Sequence, residues 1–169
     1  MDSEIIELST INAPYPIYKV KDRDIFYFTV NECKYRIAFL DSDLESLPID
    51  SICITRDKKD AKGNKDVEQT IKSIIITLLN QDRVMIFTCE TQDGKQFARQ
   101  RLFKKWFHTI CMTDQYEMMT IEDTGDICGG AIISKKHPQY SEYICMLNDL
   151  KKELTNYKSD FQNLSISSL

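Results

Sequence analysis

Glycine is scarce in this chain, at 5 of 169 residues, and histidine is scarcer still, at 2. The glycine-rich phosphate turns of P-loop and dinucleotide-binding proteins need several glycines at fixed spacing, and neither spacing occurs. His108 and His137 have no nucleophile or carboxylate close by in sequence, so a Cys-His or Ser-His centre would need a tertiary contact. No H-E-x-x-H, G-x-S-x-G or paired-Asp nuclease motif is present. The sequence therefore leans away from an enzyme and implies no metal and no cofactor. Apolar runs of transmembrane length are absent, and the acidic N-terminus lacks the apolar stretch of a secretory signal. Cys33, Cys53, Cys89, Cys111, Cys128 and Cys145 are scattered, with no C-x-x-C, which suits reduced thiols better than disulfides or zinc. The expectation is a cytoplasmic protein with no membrane partner. A net charge of −4 argues against nucleic-acid binding over the whole surface and leaves room for a local basic stripe.

What is present reads as one α+β domain. Residues 1–16 are expected to be a lead-in, because Asn12-Ala13-Pro14-Tyr15-Pro16 resists regular structure. Residues 17–158 form the domain, and residues 159–169 a polar tail. Residues 24–30 and 33–39 are aromatic and β-branched, and Asn31-Glu32 joins them as a hairpin. Alternation puts Tyr35, Ile37 and Phe39 on a buried face. Tyr18, Tyr27 and Tyr35 read as half-buried sheet residues. Residues 41–50 are expected to be a solvated acidic loop, since the glycine and distal glutamate of a calcium loop are missing. A short strand, 51–55, precedes a charged loop over 56–66.

Residues 66–80 read as a helix capped by Asp66, with Val67, Ile71, Ile74, Ile75 and Leu78 on its buried face. Strand 83–90 follows, and if it shares a sheet with 51–55 the pair is parallel. Residues 115–121 and 127–134 form an antiparallel pair turning at Glu122, Asp123 and Asp126. Gly129-Gly130 signals a bulge or a close approach to another backbone. Residues 138–158 make a final helix. The whole is a mixed, mainly antiparallel sheet with about three helices, in the order βββαβαββα.

The densest coincidence of signals lies at residues 83–112. After the strand, Thr91-Gln92-Asp93-Gly94 supplies turn chemistry, and Lys95 to Met112 contains no proline or glycine. A helical wheel places Ala98, Leu102, Phe103, Trp106, Phe107 and Ile110 on one side. Arg101, Lys104, Lys105 and His108 fall on the other. Arg99 projects into the apolar arc, with Lys95 on its flank. Arg99 can serve as a structural ion-pair partner. Alternatively, Asp93, Gly94, Lys95 and Arg99 frame an anion site at the helix start.

The run IFTCETQDGKQFARQRLFKKWF resembles the best-preserved segment of an uncharacterised family of short bacterial proteins. The likeness rests on Cys89, Asp93, Gly94, Lys95, Ala98, Arg99, Arg101, Phe103, Trp106 and Phe107. It implies a fold unit and no activity. Three functions stay open. The first is a non-enzymatic interaction module, an accessory subunit of a bacterial multi-gene system, binding another protein through Arg101, Lys104, Lys105 and His108. The second is an anion or nucleotide sensor using the pocket at the helix start. The third is a nucleic-acid-binding protein using the basic helix face and the 56–66 loop.

Overall fold

The computed structural model describes residues 4–44, 47–58, 62–89, 95–111, 114–121 and 129–166. A meander of five strands opens the chain: β1 (Ile5–Glu7), β2 (Tyr18–Val20), β3 (Ile25–Val30), β4 (Cys33–Leu44) and β5 (Leu47–Arg56), each antiparallel to the next. Asn31 and Glu32 turn β3 into β4. Both have positive φ, 47° and 61°, which matches a two-residue reversal to the twist of the strands. The expected alternation holds: Tyr35, Ile37 and Phe39 are buried beside Phe26, Phe28 and Val30. Phe28 stacks on Tyr35 with ring centres 4.9 Å apart. Five strands rather than three precede the first helix, because residues 5–7 of the lead-in pair with β2 as an edge strand and residues 18–20 pair with β3 as a strand of their own.

Residues 41–44 and 47–50 are strand rather than loop, and residues 45 and 46 lie outside the described residues. The β4–β5 register runs unbroken from Tyr35 opposite Arg56 to Leu44 opposite Leu47. Aspartate is a poor strand residue, but a continuous ladder outweighs that weak local preference. Asp50 also gains a cationic partner, described below.

Helix α1 (Lys65–Leu79) starts one residue earlier than the sequence reading, and its cap lies two residues earlier. Asn64, not Asp66, is the cap: its extended backbone lets its side chain accept from the Val67 N–H at 2.8 Å. Asp66 lies in the first turn, where a negative charge suits the helix dipole. The anticipated face, Val67, Ile71, Ile74, Ile75 and Leu78, is buried.

α1 crosses over to β6 (Met85–Thr88), which pairs parallel to β5. Helix α2 (Gln96–Cys111) follows, then β7 (Tyr116–Ile121) and β8 (Gly129–Ser134). β8 inserts antiparallel between β6 and β7, giving the order β1-β2-β3-β4-β5-β6-β8-β7. The fold is α+β, with a mixed and mainly antiparallel sheet. Helix α3 (Tyr140–Ile166) ends the described chain. Its 27 residues span about 40 Å. It continues through 159–166, read from sequence as tail, where no proline or glycine breaks it.

Two apolar cores sandwich the sheet. On one face α1 and α2 bury Ile71, Ile75, Trp106 and Phe107 against Phe28, Ile37, Met85 and Phe87. On the other, α3 buries Tyr143, Met146 and Leu147 against Ile49, Val84, Ala131 and Ile133. Among the described residues no helix is long and apolar enough to cross a membrane.

Candidate functional site

The solvent face of α2 is positioned by a chain of contacts that starts at two glycines. The β6–β8 register passes through Gly129 and Gly130 without a bulge, and the signal there proves to be close approach. A Cβ on Gly129 would lie 2.3 Å from the Phe87 carbonyl oxygen, and one on Gly130 would lie 2.7 Å from the Phe87 ring. The missing side chains let Phe87 lie down on β8. Its ring then receives α2, with centres 4.8 Å from Phe103 and 5.0 Å from Phe107. Phe103 in turn meets Trp106 edge-on at 5.7 Å. This aromatic cluster fixes the rotation of α2 about its axis.

With that rotation fixed, the buried stripe is Gln100, Trp106, Phe107 and Ile110, with Phe103 half-buried beside it, narrower than the wheel suggests. Ala98 and Leu102, expected on the buried side, are exposed. α2 carries more apolar residues than the sheet can cover, so those at the margin of the arc face water. Phe97 is 42% exposed and Leu102 43%. Around them stand Lys95, Arg101, Lys105 and His108, all exposed, with Lys104 and Arg99 half-buried. α2 contains no Asp or Glu.

The sequence thus located the basic residues of this surface and missed its two apolar ones. Arg101, Lys105 and His108 lie on one side of α2 at i, i+4 and i+7, and Lys104 sits at their edge. Lys95 and Arg99 are one turn apart, the Arg99 N–H donating to the Lys95 carbonyl at 3.1 Å. Asp93 and Gly94, the other half of the anion site, lie outside the described residues, as do Glu122, Asp123 and Asp126.

The seam between α1 and α2 is polar. Glu68 accepts from Lys72 at 3.0 Å, and Lys105 approaches it at 3.8 Å. Burial opposes ionisation of Glu68, but Lys72 and Lys105 outweigh it and hold its carboxyl below the usual value. The Trp106 indole N–H adds a small share to that lowering. Beyond that weak contact with Glu68, this buried nitrogen makes no hydrogen bond among the described residues.

A second polar centre, unforeseen in the sequence, lies at the start of β6. Arg83 donates bidentately to Asp50 and again to Asp24, while Lys19 reaches Asp24 at 3.0 Å. These bonds tie the strand ends of β2, β3, β5 and β6 together. Burial raises the Asp24 carboxyl, but Lys19 and Arg83 more than offset this and leave it lowered. The same carboxylates push the Arg83 guanidinium further up. All charges in the centre are paired, which marks it as structural.

His137 is also a structural residue. Its Nδ1 accepts from the Gln139 N–H at 3.0 Å, leaving Nε2 to donate to the Asp82 carbonyl at 2.9 Å. Its ring packs edge-on against Tyr143 at 5.0 Å. Cys33, Cys53 and Cys145 are free thiols, the last exposed on α3. Among the described residues no group of three His, Cys, Asp or Glu side chains could hold a metal ion.

Fold and surface define an α+β protein with a basic, partly apolar helix laid across a mixed sheet. The chain belongs to a family of unknown function, DUF6169, which it matches over residues 63–152. That range takes in α1, β6, α2, β7, β8 and the first half of α3. No curated protein and no solved structure matches the chain.

Proposed function

We propose that this protein is a small non-enzymatic interaction module of the bacterial cytoplasm, an accessory subunit that binds another protein through the exposed face of α2. One observation carries the reading: Phe97 and Leu102, each over two-fifths exposed, stand among Lys95, Arg101 and Lys105 on a helix without acidic residues. Two exposed apolar side chains flanking a strip of one sign of charge are a composition found at contact surfaces. Covering both side chains is worth about 1–2 kcal/mol. The cations add on-rate and selectivity for a carboxylate-rich partner. Free thiols at Cys33, Cys53 and Cys145 suit a reducing compartment.

The test is capture with the tagged full chain, followed by reconstitution of the complex from purified components. Arg101→Glu combined with Leu102→Asp is expected to weaken the reconstituted complex by at least about tenfold while the melting temperature holds. Equal affinity for wild type and variant would refute the α2 surface. Two further assays decide between the other functions. A steep salt dependence of RNA or DNA binding, lost in the same variant, would replace this reading with a nucleic-acid one. A thermal shift with small anions that Arg99→Met removes would point to a sensor.

A further inference from the structure

On the sheet face opposite α1 and α2, the cross-strand registers align Glu7, Tyr18, Tyr27 and Arg36 in one row across β1 to β4. The adjacent row runs Ile5, Val20, Ile25 and Ala38, with Val20 and Ile25 continuing the β2–β3 register. Leu40 lies one step further along β4. Val20 and Ala38 are buried in place, the other residues belong to neither core, and α3 packs over β5, β6 and β8 instead. Ile5 is 54% exposed, Leu40 51% and Tyr18 40%, while Tyr27 and Ile25 are half-buried. A sheet face with this much open apolar and aromatic surface calls for a cover.

The pattern of the rows says what the cover is. The first row has a carboxylate at one end, a guanidinium at the other and two tyrosines between. A two-fold axis parallel to the strands, midway between β2 and β3, places Glu7 of one copy opposite Arg36 of the other and Tyr18 opposite Tyr27. Charge is thus self-complementary about one axis, the requirement for an isologous interface. We propose that this face is the interface of a homodimer in which the two sheets stack face to face.

β1 and β2 contribute three residues each and β3 six, so with strands about 4.8 Å apart and about 3.3 Å per residue the footprint is on the order of 300 Å² per copy. Stable interfaces cover about 800 Å² of accessible surface per partner, so a dimer through this face is a weak one. Because α2 lies on the opposite face of each sheet, the dimer displays two α2 surfaces outward. The inference does not rest on the reading of α2.

The test is sedimentation equilibrium of the full chain from low to high micromolar concentration. The wild type is expected to interconvert between monomer and dimer. Glu7→Arg and Arg36→Glu should each raise the dissociation constant by at least about tenfold, and the double reversal should recover most of the loss. Tyr18→Asp, at an exposed position, should give a folded monomer and keeps the test decisive if Arg36→Glu fails to fold. A wild type that stays monomeric throughout overturns the proposal. So does a dimer indifferent to Glu7→Arg and Tyr18→Asp, or a folded double reversal no better than its singles.

Discussion

Removing Arg83 is the sharpest probe of this fold. Arg83→Met leaves Asp50, only 7% exposed, without its bidentate partner and deprives Asp24 of one of two cations. Breaking a fully buried pair from one side costs about 3–5 kcal/mol. The Arg83 side chain is 19% exposed and that of Asp24 29%, so the expected loss is lower, about 2–4 kcal/mol. For a chain of this size each kcal/mol moves the melting temperature by about 2–4 °C, giving a fall of roughly 5–15 °C. Adding Asp50→Leu to Arg83→Met should recover part of that fall, because the stranded charge is then gone.

Acid should act differently on the two proteins. The lowered Asp24 carboxyl contributes stability that is present above its ordinary value of 3.8 and lost as pH falls through its folded value. Arg83→Met keeps only the Lys19 share of that lowering, so its melting temperature should fall less steeply below about pH 4 than that of the wild type. Thermal unfolding from neutral to acid pH, followed by circular dichroism, reads both effects. A single variant within about 0.5 kcal/mol of wild type, or a double variant as unstable as the single, would refute the account of this centre.

Three further outcomes are expected. Gly129→Ala should destabilise the protein by several kcal/mol or abolish soluble expression, since its Cβ would stand 2.3 Å from a backbone oxygen that cannot yield, and Gly130→Ala should cost less because part of its clash is with the Phe87 ring. Trp106→Phe should stay within about 1 kcal/mol of wild type in urea titration because it removes a buried N–H that makes no hydrogen bond among the described residues, whereas Trp106→Ala should cost about 3–5 kcal/mol. The Tyr140 hydroxyl donates to the Glu117 carboxylate, which pushes the phenol up to about 12. Its contribution is therefore complete below about pH 10 and lost as pH rises toward 12, and Tyr140→Phe should flatten the alkaline limb of the melting profile.

Local pattern and tertiary packing divided the specification of this protein in a way that particular residues make plain. The period-two alternation of 33–39, the 3.6-residue spacing of 67–78 and the Asn31-Glu32 turn are properties of neighbours in sequence, so the β3–β4 hairpin and α1 were legible. The glycine pair announced a close approach, though not to which residue. Residues 41–44 and 47–50 misled because the ladder that makes them strand comes from partner backbone, which leaves no mark on the acidic side chains. The same acidity concealed Asp50 as the partner of Arg83, 33 residues away. On α2 the wheel gave the basic residues correctly, but the width of the buried stripe depends on how much of the helix the sheet covers. Phe97 and Leu102 were therefore exposed by tertiary structure alone. The row of Glu7, Tyr18, Tyr27 and Arg36 is likewise invisible along the chain, because cross-strand register, not sequence order, makes its members neighbours.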